Sequence, residues 1–257
     1  MSKDIINGYV TSETHKGITS IEFFHPQSNS LPHRILEDLA TEIHDAGLEN
    51  DTKVIVLRSA GEKAFCAGAS FDELKRIENE KKGFEFFSGF ANVINAMRKC
   101  PKLILGRIHG RCVGGGVGLA AAADYAIAAE GADIKLSELS IGIGPFVVGP
   151  AVQRKIGLSS FSQLAIDASM WRNADWARRK GLYSELHSSI ENMDESISRL
   201  ASQLAHSNPK AMAEMKKIFW QGTEDWDELL ARRAEISGRL VLSSFTKEAI
   251  TKFKTKA

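Results

Sequence analysis

The clearest candidates for chemistry are the glycines that follow a predicted strand at 102–108. Segment 109–124 contains three consecutive glycines, Gly114 to Gly116, then Gly118 and a run of alanines. Glycine weakens both strands and helices, so its repeated use here needs a reason. A backbone without side chains can approach a ligand closely, and the first N–H groups of a following helix attract negative charge. The segment predicts such a binding turn, with tight strand-to-helix packing and no ligand as the alternative.

A second cluster of small residues stands earlier in the chain. It runs from Ala64 to Ser70 and follows a strand predicted at 54–57. Two N–H groups that converge on one carbonyl oxygen form an oxyanion hole, which stabilises a developing enolate. A thioester held in this way has more acidic α-protons. The two clusters together therefore predict an oxyanion hole that still requires a base.

Glu138 is a candidate for that base. Its neighbours are Leu136, Ser137 and Leu139, and desolvation among apolar residues raises the proton affinity of a carboxylate, as a general base requires. A lone acid on an exposed loop is the alternative interpretation. The glycines also fit a loose dinucleotide-binding pattern, in which one helix and one strand lead from the glycines to an acidic residue. Here two strand-like runs separate the glycines from Glu138 instead. Dinucleotide binding is therefore the less favoured interpretation.

The two clusters carry a family resemblance. The pattern A-F-x-A-G-A at 64–69, followed by G-x-x-x-G-G-G at 110–116, resembles the enoyl-CoA hydratase/isomerase (crotonase) superfamily. The likeness extends from Ile18 to Phe253, and H-P-x-x-N at 25–29 resembles the family's R-P-x-x-x-N, one residue shorter. The paired motifs indicate the superfamily more strongly than any one reaction within it.

The resemblance implies the fold and its partners. It implies an α/β fold, with a crotonase-like spiral of ββα units at 1–195 and a C-terminal helical region at 196–257 that contributes to trimerisation. Homotrimers or hexamers built from two trimers are expected. The substrate would be an acyl-CoA small molecule, so coenzyme A enters as part of the thioester substrate. No permanently bound cofactor and no metal are expected.

The resemblance also implies a role for individual residues at the reacting carbonyl. The backbone N–H groups of Ala69 and Gly115 would form the oxyanion hole. Gly68 and Gly114 would lie beside them against the substrate. Glu138 would be the glutamate that handles the proton at the α-carbon.

The resemblance implies contacts to coenzyme A from two separate segments of the chain. Ala67 would line the adenine end of the site, while Phe253 and Lys256 would reach coenzyme A bound by a neighbouring subunit. Segment 247–256 holds four lysines and one glutamate, which suits phosphate groups. Taken without the family, a solvated basic helix is the favoured interpretation of this tail.

Two departures from the family bear on the reaction. Family hydratases carry a further glutamate two residues beyond the triple glycine, where this chain has Gly118 in the substrate site. Phe146 and its valine neighbours replace a glycine-rich loop and predict a bulkier, more apolar acyl pocket. Since one base suffices to shift a double bond, we predict enoyl-CoA isomerisation. Hydration or dehydration of an enoyl-CoA, including a branched one such as methylglutaconyl-CoA, is the alternative, and a catalytically silent CoA-ester-binding protein is the third.

The elements that position these residues follow from the apolar pattern. Short apolar runs predict strands, and apolar residues at helical spacing predict the helices between them, an alternation typical of α/β folds. The predicted strands are 18–24, 54–57, 102–108, 124–129 and 134–136, the predicted helices are 32–49 and 84–97, and the chain from 151 onward is expected to be almost entirely helical.

Composition excludes several functional classes. The 257 residues carry 33 Lys+Arg and 32 Asp+Glu, a net charge of +1 that offers no bulk attraction to nucleic acid or an acidic membrane. Three cysteines without a C-x-x-C pair argue against a disulfide framework or a thiolate zinc site, and they indicate a reducing compartment. No uninterrupted apolar stretch could span a bilayer. We therefore expect a soluble cytoplasmic protein.

Overall fold

The computed structural model describes the backbone of residues 7–254 and the side chains of residues 7–252. The strands are β1 Tyr9–His15, β2 Ile18–Phe24, β3 Ser30–Leu31, β4 Val54–Ser59, β5 Ala64–Cys66, β6 Gly68–Ala69, β7 Leu103–Ile108, β8 Arg111–Val113, β9 Tyr125–Ala129, β10 Ile134–Lys135 and β11 Glu185–His187. The helices are α1 His33–Leu48, α2 Phe71–Leu74, α3 Glu80–Lys99, α4 Gly115–Ala122, α5 Gly149–Ile166, α6 Ala174–Arg179, α7 Ile190–Ala205, α8 Pro209–Phe219, α9 Trp226–Leu240 and α10 Ser244–Lys254, with a 3₁₀ turn at Glu138–Ile141.

A six-stranded sheet in the order β1-β2-β4-β7-β9-β11 forms the centre of the molecule. Only the β1–β2 hairpin is antiparallel, and the other pairs are parallel. Side chains alternate between the two faces of a strand. In β4, Ile55 and Leu57 face the main core while Val54 and Val56 face α7. Both faces of the sheet are therefore covered, as parallel sheets require.

Two small sheets carry the segments predicted to do chemistry. β5, β8 and β10 form a parallel three-stranded sheet, and β3 pairs with β6. The glycine turn at 114 connects β8 to α4, and every residue of α4 is buried. This helix is composed of glycine, alanine, valine and leucine, which lets it pack on all sides in the core.

The C-terminal helices pack on this core within the same chain. Helix α9 lies along α3, and their backbones touch at Gly83 and Gly238, where an added Cβ on Gly83 would be 2.7 Å from the Cα of Gly238. A buried ion pair connects α8 to the sheet, because Lys216 Nζ lies 2.9 Å from Asp124 Oδ2 and donates to the carbonyl of Lys102 at 2.7 Å. Since buried charges need partners and hydrogen bonds, this pair fixes where α8 docks.

The five predicted strands and the two predicted helices are confirmed, with ends that differ by at most four residues. Six strands were missed, and four of them, β3, β5, β6 and β8, are only two or three residues long. β1 is mostly exposed at the edge of the sheet, and β11 is a three-residue strand inside the part expected to be helical. The boundary predicted at 195/196 falls within α7, which continues across it, so the division into two parts stays a prediction.

Candidate active site

The residues predicted to do chemistry meet at one cavity of about 280 Å³. Its wall comes from α2, α3, the 3₁₀ turn, segment 143–148 and α9, and it is largely apolar. Among the described lining residues, Glu138 supplies the carboxyl group. The predicted residues that line the cavity are Ala67, Gly68, Ala69, Gly114, Gly115, Glu138 and Phe146.

In the turn between β8 and α4, glycines present only backbone atoms to this cavity. Gly114 has φ +51°, a conformation that favours glycine. Its carbonyl accepts from Val117 N at 3.0 Å and from Gly118 N at 3.3 Å, so helical hydrogen bonding begins here. The N–H of Gly115 has no carbonyl one turn earlier to bond. It therefore offers a donor at the cavity wall, at the positive end of a helix.

The second donor segment lies against the first. Gly68 has φ +91°, and a Cβ added to it would be 3.1 Å from the carbonyl oxygen of Val113 and 3.6 Å from Gly115 N. Ser70 N donates to the carbonyl of Leu31 on β3 at 2.8 Å. Ala67 N likewise donates to the carbonyl of Asn29 at 3.1 Å, so β3 and the residue before it anchor this segment on both sides of Gly68. Backbone from two different loops is thus brought together at the cavity wall, and the donor role of Ala69 stays a prediction.

Glu138 reaches the same place because β10 pairs with β8 and delivers the 3₁₀ turn to the glycines. A Cβ on Gly114 would lie 2.9 Å from Glu138 Oε1, so the carboxyl packs on the bare backbone. Oε2 is buried, and no described residue hydrogen-bonds to it. Burial raises the pKa of Glu138 to about 7, against a smaller opposing contribution from its own backbone N–H. A carboxyl of this kind can both accept and release a proton near neutral pH.

Helix α10 packs against the end of the 3₁₀ turn that carries Glu138. Gly142 ends the turn with φ +82°, and a Cβ added to it would be 2.6 Å from Phe245 Cδ1 and from Thr246 Oγ1. Thr246 also donates to the carbonyl of Gly142 at 3.3 Å. The side chain of Phe253 and the whole of Lys256 lie outside the described residues, so their contacts to coenzyme A stay predictions.

The structure corrects the expected position of Gly118. This glycine is buried, and it is absent from the described residues that line the cavity. A Cβ added to it would lie 2.6 Å from Val148 Cγ1, and Val148 itself lines the cavity. The substrate would therefore meet Val148 where the resemblance led us to expect residue 118.

Sequence reasoning missed part of the apolar wall. Phe90 lies on the glycine turn, since a Cβ on Gly115 would be 2.2 Å from its Cζ. The helical spacing of phenylalanines at 84–90 was visible, but the spacing does not reveal that they face a ligand cavity. Ser237 on α9 also lines the cavity, and no local pattern distinguishes it. Besides Ala67 and Ala69, the apolar lining residues are Phe71, Leu74, Phe86, Phe87, Phe90, Val113, Ile141, Ile143, Pro145, Phe146, Val147 and Val148.

Other reactive groups are poorly suited to chemistry. Burial raises the pKa of Cys66 to about 12 and that of Cys112 further, which keeps both thiols protonated. Burial also lowers the pKa of His109, which lies outside the described cavity lining. Within residues 7–254, no three His, Cys, Asp or Glu side chains are grouped to hold a metal ion. No helix in that range is long and apolar enough to cross a membrane.

Comparisons with known proteins bear on the family and the fold. The sequence profile of the enoyl-CoA hydratase/isomerase family matches residues 13–256. The short-chain-enoyl-CoA hydratase of Clostridium acetobutylicum is 30% identical, over 81% of this chain and 80% of its own. The (7aS)-7a-methyl-1,5-dioxo-2,3,5,6,7,7a-hexahydro-1H-indene-carboxyl-CoA hydrolase of Mycobacterium tuberculosis is 25% identical, over 82% of this chain and 83% of its own.

Solved structures show the same architecture. The crystal structure of an enoyl-CoA hydratase from Bacillus halodurans superposes with a TM-score of 0.88 at 21% identity, covering 95% of this chain and 99% of that one. The predicted crotonase-like α/β fold with C-terminal helices is thereby confirmed.

Proposed function

The chain belongs to the enoyl-CoA hydratase/isomerase family of acyl-CoA enzymes, and we propose that within this family it isomerises an enoyl-CoA by single-carboxylate proton transfer. The N–H groups of Ala69 and Gly115 hold the thioester oxygen. Glu138 moves the proton. The acyl group occupies the apolar cavity, whose aromatic wall favours a hydrocarbon chain or ring over a polar one.

The proposed reaction needs no second base. Glu138 removes a proton from C2 of a 3-enoyl thioester, and the electron pair delocalises through the carbonyl onto its oxygen, where the two N–H groups stabilise it. The double bond shifts to the 2-position when the same carboxyl returns its proton to C4. The carboxylate is regenerated, so protons and electrons balance within one cycle.

One observation carries this proposal: Glu138 is the carboxyl group among the described lining residues, and burial brings its pKa to about 7. A base is most effective when its pKa lies near the working pH. The position at which family hydratases carry their additional glutamate is Gly118, buried behind Val148. This arrangement supports one proton-transfer group and no carboxylate for positioning water.

Hydration or dehydration of an enoyl-CoA is the second candidate. The relative from Clostridium acetobutylicum is named a hydratase, and a water held by backbone groups could replace the missing glutamate. Binding of an acyl-CoA without turnover is the third interpretation. It would leave the raised proton affinity of Glu138 without a use.

A panel of thioesters tests the proposal. The purified chain is offered 3-enoyl-, 2-enoyl- and 3-hydroxyacyl-CoA, together with a saturated acyl-CoA in deuterated water. We expect conversion between the 3-enoyl and 2-enoyl forms, deuterium exchange at the α-carbon, and little 3-hydroxyacyl product. Faster hydration than isomerisation would establish the second candidate, and a complete lack of exchange would establish the third.

We further propose a homotrimer or hexamer in the cytoplasm, with coenzyme A as part of the substrate. Large exposed apolar side chains, among them Leu158 (65% exposed) and Ile166 (74% exposed), support an assembly that would cover them. Light scattering of the purified protein tests the assembly, and a strict monomer would contradict it.

A further inference from the structure

Val148 fills the space in front of Gly118. A Cβ built on Gly118 would lie 2.6 Å from Val148 Cγ1 and 2.8 Å from Val148 Cβ. Both distances are shorter than the contacts that real Cβ atoms make. The next nearest atom is Ile94 Cδ1 at 3.6 Å. Val148 is 4% exposed and Ile94 is fully buried. A side chain at 118 and the valine at 148 therefore exclude one another.

The position of Val148 is fixed by the start of α5. Its carbonyl accepts from Val152 N at 3.1 Å, and Gly149 N donates to the carbonyl of Pro145 at 2.8 Å. A Cβ on Gly149 would lie 2.9 Å from Phe161 Cζ, so the backbone there is closely packed. These hydrogen bonds and this packing fix the backbone of the helix end that includes Val148. The valine side chain therefore has little freedom to move out of the cavity wall.

The consequence concerns water. A bound water needs two to four polar partners, and the side chains nearest to Gly118, those of Val148 and Ile94, offer only hydrocarbon. Hydration forms a C–O bond between water and the β-carbon of a 2-enoyl thioester and places a proton on the α-carbon. That step requires a held water, whereas the double-bond shift requires none.

We propose that Val148 is a specificity-determining residue, which excludes the water and the carboxylate that hydration would need and so directs the enzyme to proton transfer alone. This inference rests on the proposed function of the cavity. It predicts that residues 118 and 148 act as a pair, so that a glutamate at 118 becomes useful only when the valine is removed.

The test compares two double variants. Gly118→Glu combined with Val148→Ala should hydrate a 2-enoyl-CoA at least tenfold faster than Val148→Ala alone. Gly118→Glu combined with Val147→Ala is the matched control, because Val147 also lines the cavity and its truncation leaves Val148 in place. The control should show no such gain. A folded Gly118→Glu/Val148→Ala protein that exchanges α-protons but hydrates no faster would overturn the proposal.

A stability cycle keeps the inference testable if the glutamate variants fail to fold. Gly118→Ala should lower the melting temperature markedly in the wild-type chain and much less in the Val148→Ala background. Equal decreases in the two backgrounds would contradict the exclusion. This cycle needs no substrate, so it separates failure of the Val148 inference from failure of the proposed function, which would show as absent isomerisation in the wild type.

Discussion

Gly114 and Gly118 stand one helical turn apart at the start of α4, and each makes room for a side chain from a distant segment. Gly114 faces the carboxyl of Glu138, while Gly118 faces the methyl groups of Val148. The first contact leaves an acid with raised proton affinity in the cavity, and the second leaves hydrocarbon. The absence of a Cβ therefore makes room for two different side chains within one turn. We call the surroundings of Gly114 and Glu138 the reactive side, and those of Gly118 and Val148 the inert side.

The difference shows that the chemistry depends on what fills the space beside a glycine. A glycine-rich turn alone specifies close packing and a free N–H donor. Whether the neighbouring volume holds an acid or an alkyl group decides which proton and water movements are allowed. Variants on the two sides therefore test them separately.

The strongest test of the reactive side is Glu138→Gln. Removing the base should lower the isomerisation rate by about 10²–10⁴-fold, while acyl-CoA binding changes little because the amide is nearly isosteric. Steady-state kinetics together with a binding titration measure both quantities. Glu130→Gln, at an exposed glutamate after β9, is the control and should retain full activity. A fully active Glu138→Gln enzyme would remove this carboxyl from the mechanism.

Gly114→Ala tests the contact that positions the acid. The new methyl group would meet Glu138 Oε1 at 2.9 Å in a backbone with φ +51°. We expect about a hundredfold loss of activity from displacement of the carboxyl, besides about 1–3 kcal/mol of backbone strain. Gly131→Ala is a matched control, because Gly131 has φ +93° with nothing within 4 Å. It should lose stability without losing catalysis.

The raised pKa of Glu138 also predicts a pH-dependent stability. The native carboxyl has a pKa of about 7 against 4.5 in the unfolded chain, so folding holds its proton more tightly. The contribution of this carboxyl to the free energy of unfolding is therefore fully present below pH 4.5. It decreases by up to about 3 kcal/mol as the pH rises from 4.5 to 7. In denaturant titrations, Glu138→Gln should therefore gain free energy of unfolding relative to the wild type between pH 5 and 8. A difference that is independent of pH would contradict the raised pKa.

The same group sets the pH dependence of turnover. Because the base works only when ionised, kcat/KM should rise with pH and level off above a midpoint of about 7. A rate profile between pH 5 and 9 measures it. A midpoint near 4.5 would show that the carboxyl is well hydrated in the free enzyme.

On the inert side, Val148→Ala should act mainly on stability. Removing two buried methyl groups costs about 1–3 kcal/mol, depending on how far the wall collapses. Thermal and denaturant unfolding measure the loss. Isomerisation should fall far less than in Gly114→Ala, because no catalytic group is displaced. A comparable loss of activity in the two variants would remove the distinction between the two sides.

Local pattern predicted much of the fold. The apolar run at Val54 to Leu57 and the helical spacing in α1 both describe how side chains divide between two faces, which is a property of neighbouring residues. β11 at Glu185–His187 escaped this reasoning because its three residues are only half-buried. It is a strand because it pairs with β9. The amino-acid sequence of a three-residue segment does not indicate which distant strand it will pair with in parallel.

The amino-acid order alone was enough to indicate the family, because the two clusters of small residues are local patterns. The donor positions Ala69 and Gly115 and the base Glu138 followed from the resemblance to that family, and their roles stay predictions. The assembled fold was needed to see that Val148 covers Gly118 and that Phe90 and Ser237 line the cavity. Those contacts join residues far apart in the chain, and close packing, which is a property of the assembled core, decides which of them share a volume.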